Sequence, residues 1–124
     1  MWTASSFWRA EGLTGLAVDF SEPVGITFDN SPPDHGNGVL LCFIEGRHGR
    51  VLGELPGEER KRVVIAGLER FFGPRAADPT DYVDQDWAAE EWTRGCYGAH
   101  LPTGAWTQVG QALLDHRHVV AVGA

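Results

Sequence analysis

Glycine and proline constrain this chain more than any other feature. Sixteen glycines and seven prolines are spread through 124 residues. They cut the sequence into short elements instead of marking one flexible linker. No composition shift, internal repeat or low-complexity tract divides the chain, so residues 1–124 are expected to form a single domain.

The elements between these breaks are legible. Leu16 to Phe20 and Ile26 to Asp29 are short apolar or alternating runs separated by Ser21-Glu22-Pro23-Val24-Gly25, which predicts a hairpin. Asn30 to Gly38 is dense in turn formers. The continuous apolar run Val39 to Ile44 that follows predicts a strand buried on both faces. A helix is predicted from about Pro56 to Phe72. Pro56 suits a first turn, Glu58 and Glu59 suit the positive end of the dipole, Gly73-Pro74 suit the stop, and Val64, Leu68 and Phe71 or Phe72 supply the buried stripe. Asp81 to Asp84 is expected as a short strand, Thr107 to Leu114 as a helix, and Val119 to Ala124 as a terminal strand. Strands and helices without regular βαβ alternation imply an α+β fold, a mixed or antiparallel β-sheet with helices packed on one face.

Charge and cysteine usage exclude several functions. Ten Lys and Arg against seventeen Asp and Glu give a net charge of −7, which repels nucleic acid and anionic membrane surfaces. Hydrophobic residues at 43% and charged residues at 22% are those of a folded globular domain, not a disordered tail. Cys42 and Cys96 are too few for a disulfide framework. Both sit beside apolar or aromatic residues, as reduced buried cysteines do, which favours a cytoplasmic location. No apolar run approaches the roughly 20 residues of a membrane span. Met1 to Gly12 carries neither the basic nor the apolar region of a signal peptide, so the mature chain is expected to begin near Met1.

Chemistry concentrates between Trp87 and Gly104. Trp87, Trp92, Cys96 and Tyr97 fall within eleven residues, and Gly95, Gly98 and Gly104 interleave or follow them. Aromatic walls with close backbone approach suit a planar, largely apolar ligand; the bland alternative makes the tryptophans core residues and the glycines turn residues. The five histidines, His35, His48, His100, His116 and His118, show no standard ligand spacing, so no metal is expected. Glu90-Glu91 and Asp84-x-Asp86 offer paired carboxylates for acid/base work, or simply surface charge.

Several motifs in one order resemble the flavin-containing, FAD-dependent monoamine oxidase family, in its substrate-domain portion. They are Phe7-Trp8-Arg9, Gly12-Leu13-x-Gly15, Thr27-Phe28-Asp29-Asn30-Ser31-Pro32-Pro33, and Trp87-x4-Trp92-x2-Gly95-Cys96-Tyr97 with Pro102-x-Gly104. The resemblance runs from about Phe7 to Leu114. It implies the fold of the amine oxidase substrate domain and a small-molecule ligand, an amine or an aromatic compound. The family oxidises amines to imines by hydride transfer to FAD. Carried over residue by residue, Tyr97 is one wall of the aromatic cage around the amine, with Trp92 as a second substrate-binding candidate. Trp87 and Trp92 fall on the flavin side, and Cys96 falls on a cysteine that some members link to the flavin.

The departures from that pattern set the remaining expectations. Gly36-Asn37-Gly38 runs into the apolar Val39-Leu40-Leu41, so it lacks the third glycine and the helix of a dinucleotide-binding turn. The family's lysine upstream of the Phe-Trp-Arg motif has no counterpart in Met1 to Ser6, and its C-terminal flavin segment would begin where Val119 to Ala124 stands. The isolated chain is therefore expected to hold no cofactor and not to be a competent oxidase alone. Two alternatives belong to other classes. One is a flavin-free pocket protein using Tyr97 or His100 for acid/base chemistry of a cyclase or isomerase type; the other is a non-catalytic binding module. A homodimer is the expected assembly, and a separate flavin-domain chain a possible partner.

Overall fold

The computed structural model describes residues 1–33, 36–96, 98 and 101–114. By internal packing the chain divides into two compact units, Met1–Gln85 and Asp86–Ala124. The first contains a four-stranded antiparallel sheet of order β1-β4-β3-β2, formed by β1 (Trp2–Thr3), β2 (Ala17–Val18), β3 (Ile26–Asp29) and β4 (Gly38–Phe43). Its helices are α1 (Phe7–Ala10), α2 (Gly46–Gly53) and α3 (Gly57–Phe72), followed by a 3-10 turn at Pro74–Ala77. The second unit contains α4 (Ala105–Leu114). The architecture is α+β, as the sequence predicts. None of the helices among the described residues is long and apolar enough to cross a membrane.

The hairpin forms as expected. Ala17 pairs with Thr27 and Val18 with Ile26, and the Asp19 N–H donates to the Gly25 carbonyl at 2.8 Å to close the turn. Helix α3 begins one residue later than predicted, because Pro56 stands outside as the N-cap and its carbonyl accepts from Glu59 and Arg60. Gly73 at φ 77° ends it, in a backbone region that costs glycine nothing. Val64, Leu68 and Phe72 form its buried stripe. They join Trp8, Val24, Leu40, Leu52 and Ala76 in one core.

That core lies on one side of the sheet. Residues directly opposite in an antiparallel pair share a face. Thr27 opposite Cys42, Asp29 opposite Leu40 and Thr3 opposite Gly38 therefore mark the inner face. A Cβ on Gly38 would lie 2.5–2.6 Å from Thr3 Oγ1, the Ser5 carbonyl and Trp8 Cη2, so only glycine lets α1 sit this close to β4. Met1 is buried as well, its amine donating to the Leu40 carbonyl at 3.1 Å. Burial lowers the affinity of that amine for its proton and raises the pKa of the neighbouring Cys42 thiol.

Two expectations fail in this unit. The run from Val39 is not buried on both faces, since Leu40 is buried but Leu41 is 43% exposed. A hairpin-built antiparallel sheet needs cover on one side only, and here the core residues supply it on the inner side. Asp81–Asp84 is not a strand; only Asp81 bridges, to Trp2. Side-chain bonds take the place of a ladder there. The Tyr82 N–H donates to Asp81 Oδ1 at 2.7 Å, and Asp84 receives Arg60 and Tyr82. The expected strand at Val119 to Ala124 lies outside the described residues.

Candidate functional site

The outer sheet face is the larger apolar surface of the first unit's sheet. The register places Trp2 opposite Val39, Phe28 opposite Leu41, Ile26 opposite Phe43 and Val18 opposite Ile26. These seven side chains share one face, and none carries a charge. Phe28 and Phe43 meet edge to face with ring centroids 5.9 Å apart, an arrangement that leaves one ring face open. At its β2–β3 end the face runs into a shallow groove lined by Phe20, Pro23, Phe43, Glu45 and His48. Sequence reasoning missed this surface. The period-2 alternation of Ile26 to Asp29 signals it, whereas the unbroken run after Gly38 conceals it.

A polar network behind the sheet holds the face in register. Asp29 accepts from Trp8 Nε1 at 2.9 Å, from Arg9 Nε at 2.6 Å and from the Ser31 N–H at 2.9 Å. Burial opposes its ionisation, but the bonds from Arg9, Ser31 and Trp8 outweigh that cost and hold the carboxyl well below the usual carboxylate range. Ser31 Oγ in turn accepts from the Val39 N–H at 2.9 Å, joining the network to β4. Gly15, at φ 79°, lies so close that a Cβ would approach Asp29 Cβ to 2.6 Å. The three separate motifs around Phe7, Gly12 and Thr27 are thus one cluster in space.

A second network fixes the end of this unit. Arg60 donates two parallel bonds to Asp84, at 3.0 and 3.1 Å, and a third to the Leu55 carbonyl at 2.9 Å. Tyr82 donates its hydroxyl proton to Asp84 at 3.1 Å. The bonds from Arg60 hold the Asp84 carboxyl below its ordinary range. Burial, then the charge of Asp84, pushes the Tyr82 hydroxyl up.

The aromatic loop lies in the second unit. Trp87 is 50% and Trp92 83% exposed, so neither is the core residue of the bland reading. Glu90 shapes the turn, its carboxylate accepting from the Trp92 N–H at 3.2 Å and its carbonyl from the Arg94 N–H at 3.0 Å. Asp86 accepts from the Ala88 N–H at 2.9 Å. Of the four carboxylates considered for acid/base work, three therefore have structural bonds: Asp84, Asp86 and Glu90. Arg94 turns the chain at φ 46°, and Cys96 after it is exposed, not buried as its apolar neighbours suggested. Trp87, Trp92 and Cys96 thus share one loop. Tyr97 and His100, the remaining candidates, lie outside the described residues. No group of three or more His, Cys, Asp or Glu among the described residues could hold a metal ion.

The turn at Gly36-Asn37-Gly38 passes directly into β4. It presents no helix N-terminus to a pyrophosphate. The turn from β4 into α2 places Glu45 at the helix N-cap, a carboxylate where a phosphate would need positive potential. Neither of these two turns fits the phosphate end of FAD.

Residues 1–123 match the family described as flavin containing amine oxidoreductase. AofH of Mycobacterium tuberculosis, described as a flavin-containing monoamine oxidase, is 42% identical over 112 residues, covering 90% of this chain and 24% of that protein. An L-amino acid dehydrogenase of Synechocystis is 38% identical over 110 residues, covering 86% of this chain and 23% of its own length. A putrescine oxidase solved with putrescine bound superposes with a TM-score of 0.83 at 36% identity, over 94% of this chain and 25% of that one. The chain thus spans about a quarter of the length of the relatives it matches.

Proposed function

Because the chain belongs to the flavin-containing amine oxidoreductase family, we propose that it supplies the substrate side of an amine-oxidising fold and is not an oxidase by itself. The observation that carries this reading is the exposed aromatic loop, where Trp87 and Trp92 stand 50% and 83% in water, in a chain that spans about a quarter of its relatives. FAD, the family's cofactor, would supply the hydride acceptor when bound. This chain's residues exclude water and hold the amine. Apolar walls favour the neutral amine that oxidation requires, and ring faces attract its nitrogen. In the aromatic loop, Tyr97 and Trp92 serve as walls for the amine, with Trp87, Trp92 and Cys96 toward the flavin. Two unpaired cysteines agree with a cytoplasmic setting.

Titration of the purified chain with benzylamine, followed by NMR, tests the reading. The expected shifts centre on Trp87 and Trp92, and Tyr97→Ala should weaken binding more than it lowers Tm. Shifts confined to the sheet, with Trp87 and Trp92 unmoved, would sink it. Acid precipitation followed by flavin fluorescence should find no stoichiometric FAD, and a peroxide-coupled assay with benzylamine or putrescine should find no turnover. A flavin-loaded chain that turns over would overturn the claim of incompetence alone.

A further inference from the structure

A single helical turn carries Trp92. The Arg94 N–H donates at 3.0 Å to the Glu90 carbonyl four residues back, which closes the turn over Glu91, Trp92 and Thr93. So short a turn is not stable on its backbone bond alone, because closing it fixes several dihedrals for one hydrogen bond. Side chains hold its two ends. Glu90 Oε2 accepts from the Trp92 N–H at 3.2 Å and from the Thr93 N–H at 3.4 Å, the groups that an N-cap side chain satisfies. At the other end Arg94 Nε donates to the Glu91 carbonyl at 3.2 Å. Among the described residues Arg94 alone, glycines aside, has a positive φ, 46°. Such a conformation persists only where the surroundings impose it, and residues held in this way cluster at binding sites. The two neighbouring carboxylates are not equivalent, since Glu90 is half-buried and Glu91 exposed.

We infer, on the reading that Trp92 is a wall for the amine, that Glu90 is a positioning residue for that wall: by capping the turn it fixes where the indole stands. Trp92 leaves the middle of the capped turn, so the cap sets the direction of its Cα–Cβ bond. A wall that must be ordered on binding costs affinity, and a wall held beforehand does not. Glu90 acts through two backbone N–H groups and meets no ligand itself. Its contribution to binding therefore vanishes when the indole is removed, whereas a carboxylate that met the amine directly would act with or without Trp92. Aspartate, a preferred N-cap residue, can make the same two bonds with a shorter side chain; alanine can make neither.

Benzylamine affinity, measured by NMR titration of the full chain, tests the coupling. Glu90→Ala should weaken binding about fivefold, within the range for a lost N-cap, at nearly unchanged Tm, and Glu90→Asp should restore it. In a Trp92→Ala background, adding Glu90→Ala should cost nothing further. Unchanged affinity in Glu90→Ala overturns the inference, and so does a full additional loss in that background. Amide hydrogen exchange gives a second readout that needs no ligand. At Trp92 and Thr93 it should accelerate about tenfold in Glu90→Ala and return in Glu90→Asp, while Val64 to Leu68 keep their protection. Equal exchange in wild type and Glu90→Ala overturns the inference whether or not amine binds. A chain that shows the expected exchange but binds no benzylamine would sink the proposed role of Trp92 and leave Glu90 as the cap that positions it. Should Glu90→Ala fail to fold, Glu90→Gln replaces it. Its one amide oxygen is an uncharged, weaker acceptor, so smaller losses are expected in both readouts, and their absence overturns the inference.

Discussion

At the scale of single residues, Asp29 joins more of the molecule than any other side chain described above. It takes the indole N–H of the fully buried Trp8 together with the Arg9 guanidinium and the start of the Ser31 turn. Asp29→Ala would leave the Trp8 N–H without its acceptor, and we expect a loss of about 2–4 kcal/mol in urea unfolding. Its pH dependence has a definite sign. A carboxyl whose pKa is lower in the folded state than in the unfolded one stabilises fully above about pH 4 and loses that contribution as the pH falls toward its folded value. Wild-type stability should therefore drop between pH 4 and 2, and in Asp29→Asn this drop should shrink. An equal drop in both proteins would remove Asp29 from the account. The sequence announces these residues only as recurring motifs; that Trp8, Arg9, Gly15 and Asp29 meet is a matter of three-dimensional distance.

Among the elements, α3 shows two opposing effects at one position. Gly67 lies in the helix interior, where alanine would gain about 1 kcal/mol of helix propensity. A Cβ there would stand 2.7 Å from Val24 Cγ2, in the core. Overpacking of this kind costs about 1–3 kcal/mol, so Gly67→Ala should lower Tm despite the better propensity. A raised Tm would mean that Val24 yields. The clamp of Arg60 on Asp84 makes a similar point for the segment after the 3-10 turn. Asp81 to Asp84 has the alternation of a strand, yet its carboxylates find side-chain and backbone donors instead of a ladder. Arg60→Lys keeps the charge but loses the fork. Hydrogen exchange at Tyr82 and Val83 should then accelerate while the amides of Val64 to Leu68 stay protected; exchange that rises equally in both would mark a general loss of stability.

For the whole molecule, the division after Gln85 has an observable consequence. Arg94 sits exposed in an irregular stretch at positive φ, whereas Arg62 and Arg70 lie in α3 and Arg60 is held by its clamp. Brief trypsin treatment should cut first after Arg94, leaving residues 1–94 with the circular dichroism of an intact sheet and helix. First cleavage within α3 would refute this. The α+β class, the hairpin, the span of α3 and the family could all be drawn from one sequence, because period, turn chemistry and ordered motifs are local properties of the chain. Which face of β4 meets the core could not. Val39 to Phe43 is apolar at every position, so hydrophobicity alone carries no information about direction. Only the packing of Trp8, Val24 and Leu68 on Leu40 turns Phe28, Leu41 and Phe43 outward. That choice makes an apolar surface out of residues that a linear pattern assigns to the interior.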